Sequence, residues 1–479
     1  MSTLQPPQRA SDKGSLIYFG VLCFIAALGG LLFGYDTAVI SGANKFLKDQ
    51  FKLENAPLLR GWIVSSALVG CLVGSAAGGW LSDRYGRKRI LILSALLFVA
   101  TSIGCTLAPE PATLSVARLI GGIGVGIASM VVPLYIAEIS PARLRGRMVS
   151  CYQFAITIGI LVAYFANAAL LELSVQAQAS EAGPVSGPIG AFYHWIVVDQ
   201  VWRGMVGTLL IPAGLFFILL FLVPESPRWL VKQGRSALAL LILGRIAGKA
   251  DADRQMLEIQ ETLSQESEGG GQFFRPGMGR ALGIAVFLCC AAQFSGINAI
   301  IYYGPDIFEA AGFKISKALG GQVVLGIVNM AFTLLAMWKV DTLGRRPLLI
   351  AGNAGVFVSL VIVGILFASN ATGGNLLVFF MGTYLACFAF SLGPLPWVIM
   401  SEIFPTRIRG RAMSIATLSL WLANTIVCQA FPYLKDAIGP GMVFFIFAAL
   451  VSPVFWFAWK VLPETKGRSL EELEEFFRR

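Results

Sequence analysis

Asp36 stands where a carboxylate is costly. It lies in GGLLFGYDTAVISGA, inside a long apolar run, and an acid there costs a few kcal/mol to insert into lipid, so it is ordinarily paired and functional. If a helix through that run ends near Ser41, Asp36 falls roughly 7 Å inside the outer face at about 1.5 Å per residue. Arg118, in ARLIGGIGVG, lies just inside a run that starts near Leu114 and heads the other way, and so reaches a similar depth. A guanidinium at matched depth holds the carboxylate ionised, and protonating Asp36 releases the arginine. That is the chemistry of a proton-coupling pair; the plainer alternative is a link that pins two helices. Nucleophilic and metal chemistry lack their residues. The single histidine, His194, stands beside Trp195 as an interfacial neighbour, and the eight cysteines are scattered through apolar runs without a C-x-x-C pair, as small buried apolar residues. No nucleophile falls beside a base, so neither an enzyme nor a cofactor nor a metal site is expected.

The elements that must hold Asp36 and Arg118 are membrane spans. Of the 479 residues 56% are hydrophobic and 13% charged, against about 25% charged in an ordinary soluble domain. The natural solvent for such a chain is lipid, where a span needs roughly 20 mainly apolar residues. Twelve runs qualify, at 16–41, 61–81, 90–108, 114–136, 148–171, 204–223, 281–310, 320–340, 347–368, 375–400, 412–434 and 441–461. The expected fold is an all-α membrane protein with an N-terminal six-helix half over 1–223 and a C-terminal six-helix half over 281–462. Short cytosolic helices and a Gly run fill the linker 224–280, and a cytosolic tail covers 463–479.

Placing both termini in the cytosol puts 28 of the 37 Lys and Arg on that side and 7 in the outer loops, as the positive-inside rule requires. The net charge of +10 is then topology rather than a nucleic-acid surface. Gly70, Gly74 and Gly78 form a small-residue stripe for close helix packing. GGIGVG at 121–126 lies mid-span with no strand before it, so it is no nucleotide loop. Pro394 and Pro396 should break the tenth run beside Trp397.

Three motifs recur in the same order after corresponding spans. DRYGRKR at 83–89 returns as DTLGRRP at 341–347, YIAEISPARLRGRMVS from Tyr135 as MSEIFPTRIRGRAMS from Met400, and PESPRWL at 224 as PETKGRSLEEL at 463. The halves are thus expected to be parallel repeats of one six-helix unit. The repeat doubles a charge constellation at the cytosolic span ends: Glu138, Arg145 and Arg87 in one half, Glu402, Arg409 and Arg345 in the other.

Together with QFSGINAIIYY and GPLPWVIMSEIFP, these motifs resemble the sugar porter family of the major facilitator superfamily over Gly29 to Leu473. The pattern is nearest to that of the bacterial xylose/proton symporters and then to that of the facilitative glucose transporters. The resemblance implies the major facilitator fold and alternating access, in which two halves rock about a central sugar site. It also implies residue roles. Gln153, Gln293, Asn298, Asn329, Trp397 and Trp421 match family sugar contacts. Amides suit that role because they donate and accept as sugar hydroxyls do. Asp36 stands where proton-coupled members carry Asp and animal facilitators carry Asn. Tyr302 and Tyr303 fall in the family's outer gate. Glu138, Arg145, Glu402, Arg409, Arg87 and Arg345 match groups that pair across the halves and lock the cytosolic side when the site faces out.

Three departures from the pattern bear on substrate and coupling. Ala292 replaces a second glutamine before Gln293, Leu420 replaces a glutamine before Trp421, and Leu209 stands where the xylose symporters have a second membrane acid. The function so implied is import of a hexose or pentose by proton symport through a plasma-membrane monomer. Its partners are the sugar, the proton and the bilayer, without nucleic acid. An uncoupled hexose uniporter and a polyol or inositol transporter are the alternatives.

Overall fold

Backbone N–H and C=O groups in lipid must be satisfied within their own segment, so the apolar runs fold as helices. The structure is a computed structural model that describes residues 15–141, 144–179, 187–267, 278–372, 375–404 and 406–464. Twelve of its helices are long and apolar enough to cross a membrane. Spans 1 to 6 are Leu16–Gln50, Pro57–Tyr85, Arg87–Leu107, Pro111–Ile139, Arg145–Ala179 and Val201–Leu222. Spans 7 to 12 are Met278–Ala310, Ile315–Lys339, Arg345–Ala368, Asn375–Met400, Ala412–Ile438 and Pro440–Lys460. Between spans 6 and 7 run the helices Pro227–Lys232, Ser236–Ala247 and Lys249–Ser267. The expected Gly run of the linker, the tail beyond Glu464 and the side chain of Arg409 lie outside the described residues.

Span 1 does not stop near Ser41, where the hydropathy falls; it continues as helix to Gln50. Polar side chains such as Asn44, Lys45 and Lys48 end an apolar run without ending a helix, because the backbone bonds along the axis are indifferent to what the side chains meet. Asp36 therefore lies about 21 Å from the C-terminal end of its helix.

Within the first half, span 2 packs on span 4 and span 1 on span 5. The glycine stripe sets the first of these contacts. A Cβ on Gly70 would fall 2.1 Å from the carbonyl oxygen of Leu119, and one on Gly122 would fall 1.8 Å from that of Ala67. In the second half span 9 packs on spans 10 and 12, and span 7 on span 11. The halves meet where span 2 touches span 11, span 5 touches span 8 and span 1 touches the C-terminal part of span 7.

Spans 7 and 10 of the second half are broken. Span 10 divides into Asn375–Phe390 and Leu395–Ile403 where Pro394 and Pro396 withhold their N–H groups. Span 7 divides into Met278–Phe294 and Ile297–Ala310 around Gly296, whose φ of 85° only glycine adopts without strain. A side chain there would also run into the ring of Phe447, 2.4 Å from the added Cβ. Tyr303, with φ −120° and ψ 17°, kinks the outer piece a second time ahead of Pro305.

Candidate functional site

A cavity of about 2290 Å³ lies between the halves. Gln153 of span 5, Gln293 and Asn298 of span 7, Asn329 of span 8, Trp397 of span 10 and Trp421 of span 11 all line it. The break at Gly296 lets Gln293 and Asn298 converge, and Asn298 Nδ2 donates to Gln293 Oε1 at 2.6 Å. Trp421 faces Phe33 of span 1 across the cavity, ring centroids 5.5 Å apart, and its indole N–H is buried without a partner. Ala292 and Leu420 line the same wall, so both missing amides enlarge its apolar area. Tyr302 and Tyr303, both expected at an outer gate, part company. Tyr302 lines the outer end of the cavity beside Thr37. Tyr303 turns into its own half, donating to the carbonyl of Cys428 at 3.0 Å and stacking on Phe431 at 5.1 Å.

The cavity reaches the face that carries both ends of the described chain, where Arg145, Arg228, Trp229, Lys232 and Glu258 line it. At the opposite face the halves close on each other. Ser65 Oγ donates to Gln429 Oε1 at 2.6 Å, Gln429 Nε2 donates to the carbonyl of Leu58 at 2.9 Å, and Lys45–Glu309 and Arg60–Asp436 form ion pairs across the seam. Beside them Asp306 lines a small cavity with Asn44, Lys48, Arg60 and Lys435. None of these outer charges was singled out from the sequence. The signal was present in Asp306 and Glu309, two acids inside the run 281–310.

At the terminal face each half binds its own charges. Arg87 Nε and Nη2 donate to the two oxygens of Glu138, each at 2.9 Å, and Arg345 donates to Glu402 from Nε at 3.1 Å and Nη2 at 2.7 Å. Arg145 Nε donates to the carbonyl of Ala137 at 3.1 Å. The cross-half pairing implied for an outward-facing site involves Arg409, whose side chain lies outside the described residues. Two glutamates that sequence reasoning left without a role complete the repeat. Glu225 accepts the backbone N–H of Arg87 at 2.8 Å and Glu464 that of Arg345 at 3.0 Å. They cap the starts of spans 3 and 9, where orphan N–H groups favour an anion. Their signal was the recurring PES and PET after spans 6 and 12.

Asp36 and Arg118 are buried, 5% and 2% exposed. They lie within each other's electrostatic reach, behind the wall formed by Phe33 and Thr37 rather than on the cavity itself. No direct ion pair joins them here, and Arg118 Nε is buried without a hydrogen-bond acceptor. Arg203 shows what a structural arginine does instead. Its Nη1 caps the end of span 3 by donating to the carbonyls of Thr106 and Ala108 at 2.7 and 2.8 Å, and its guanidinium stacks on Trp195 and Trp202.

Twelve spans around a polar and aromatic cavity, sealed at one face and open at the other, define a membrane transporter caught facing one side. The comparisons with known proteins agree. Residues 22–477 match the model of the family described as "Sugar (and other) transporter". The chain is 38% identical to the arabinose-proton symporter of Bacillus subtilis over 99% of this chain and 98% of that one. It is 39% identical to the D-xylose-proton symporter of Escherichia coli over 95% of each. The inward-open structure of the Escherichia coli xylose transporter XylE superimposes with a TM-score of 0.81 at 37% identity, covering 96% of this chain and all of that one. The chain belongs to the sugar (and other) transporter family, with the major facilitator fold; it is an integral membrane protein and not an enzyme.

Proposed function

We propose that this chain imports a monosaccharide together with a proton by alternating access, with its terminal face in the cytosol. The observation that carries the reading is the convergence of four amides and two tryptophans from five spans on one cavity. Amides meet the hydroxyls of a sugar as donors and acceptors at once, and the indole faces take the C–H surface of its ring. The proton symport named for the arabinose and xylose relatives supports coupling through Asp36. Asp36 takes a proton while the site faces out, crosses with the loaded carrier and releases the proton inside. The charged carboxylate then draws Arg118 and resets the empty carrier. Phe33 and Thr37, on the same turns of span 1 as Asp36, line the cavity, so sugar and proton act on one helix. One charge crossing 100 mV supplies about 2.3 kcal/mol for accumulation.

One observation favours the uncoupled uniporter instead: Leu209, at the place of a second membrane acid, is buried at 2% exposure and offers no proton site. Uptake into proteoliposomes of xylose, glucose, galactose, fructose and inositol, each with and without an imposed proton gradient, separates the readings. Accumulation above equilibrium under a gradient is the expected result. Equilibration indifferent to the gradient selects the uniporter, inositol alone entering selects the polyol reading, and no uptake of any of them removes the sugar site.

A further inference from the structure

Pro305 has no N–H, so the carbonyl of Ile301, one helical turn earlier, cannot receive its ordinary bond. A buried carbonyl in that position must find another donor. It finds two. Gln322 Nε2 of span 8 donates at 3.0 Å and the Tyr164 hydroxyl of span 5 at 3.3 Å. The next carbonyl, that of Tyr302, sits at the kink and receives Asn44 Nδ2 of span 1 at 2.8 Å. Gln322 belongs to the same half as the carbonyl it holds; Tyr164 and Asn44 reach across from the other half.

The surroundings are shaped for these donors. Tyr164 and Gln322 are 4% and 1% exposed. A Cβ on Gly304 would fall 2.7 Å from Gln322 Nε2, and one on Gly326, a turn further along span 8 from Gln322, would fall 2.9 Å from the Tyr164 ring. Both glycines keep open the space that the clamp occupies.

We infer that Tyr164 and Asn44 are positioning residues that hold the outer piece of span 7 closed over the cavity by its backbone carbonyls, and that Gln322 keeps the Ile301 carbonyl satisfied when the gate opens. As the halves part at the outer face, the bonds from Tyr164 and Asn44 break because their donors leave with the other half. Gln322 stays with its carbonyl. The gate thus opens without stranding a buried carbonyl, which is the expensive outcome. The three side chains therefore have opposite signs: two favour the closed gate, and one removes the penalty of opening it.

The test needs the full chain in nanodiscs and no sugar, so it can fail while the reading as a proton-coupled sugar importer stands. Hydrogen exchange is followed at the outer segment 297–310 and at the terminal-side cavity segments 145–152 and 333–338. Tyr164→Phe deletes one hydroxyl and leaves its ring against Gly326, and Asn44→Ala removes the second donor. Each should move the balance of closed to open outer gate about three- to tenfold. Exchange then rises in the outer segment and falls in the terminal-side segments. Gln322→Leu should do the reverse at both places. Three variants that shift the balance in the same direction, a rise at both faces in all of them, or no change from wild type would each overturn the assignment.

Discussion

In the N-terminal half Arg87 holds Glu138 while Glu225 caps span 3; in the C-terminal half Arg345 holds Glu402 while Glu464 caps span 9. Each of these contacts has its counterpart, down to the glycine before each capped span, Gly86 at φ 97° and Gly344 at φ 86°. Toward the middle of the membrane the correspondence ends. The first half buries an acid and an arginine, Asp36 and Arg118, whereas the second half carries the broken spans 7 and 10 and three of the four amides expected at the sugar site. What repeats is the scaffold at the terminal face of the two halves. On the proposed function, what does not repeat divides the work: the proton goes to one half, the sugar chiefly to the other.

The sharpest way to break that division is Asp36→Asn. Accumulation of sugar under a proton gradient should fall to the equilibrium level, while exchange of labelled for unlabelled sugar stays within about twofold of wild type, since a neutral side chain at this depth no longer needs its partner. Accumulation unchanged in the variant would end the claim that the first half carries the proton. The converse comes from the second half. Gln293→Ala or Asn298→Ala should weaken sugar binding at least tenfold, about 1.4 kcal/mol, as measured by competition in the same vesicles. Wild-type affinity in both would move the sugar site elsewhere.

The spans and the repeat were legible because lipid leaves few options: an apolar run of the right length has to be a helix, and three ordered motifs have to mark a duplication. The cavity lining was legible for a different reason. Gln153, Gln293, Asn298 and Asn329 are amides on apolar helices, but so are Asn167, Gln322 and Asn353, which do not line the cavity; the match to family sugar contacts singled out the four. Three things were hidden. Span 1 runs on to Gln50 because hydropathy reports the lipid boundary and not the helix end. The ion pairs Lys45–Glu309 and Arg60–Asp436 join residues hundreds of positions apart, and nothing local in the sequence pairs them. The break at Gly296 was missed because a glycine inside an apolar run reads equally well as close packing, until the approach of Phe447 and the positive φ settle it.

Equality of the repeated parts can be tested with a smaller effect. Glu225→Ala and Glu464→Ala each remove the acceptor at the start of a span, worth about 1 kcal/mol for a cap. Thermal unfolding followed by tryptophan fluorescence should show the two variants lowered by the same amount. A clear inequality would mean that the halves share a motif without sharing its load.

Leu420→Gln should have the smallest effect, and it separates the two kinds of work most cleanly. Leu420 is half-buried and lines the cavity next to Trp421, so a glutamine there needs no new space in the core. In the sugar-bound state it adds one hydrogen bond, with a net worth of about 0.5–1.5 kcal/mol, and the affinity for the transported sugar should rise about three- to tenfold. The ratio of sugar accumulated to proton gradient imposed should not move at all, because that ratio is fixed by how many protons accompany each sugar and not by how tightly the sugar is held. Tighter binding with an unchanged ratio keeps the proton in one half and the sugar in the other. If the ratio moved as well, an amide on span 11 would be acting on Asp36 across the cavity, and the two halves would have to be described as a single coupled site.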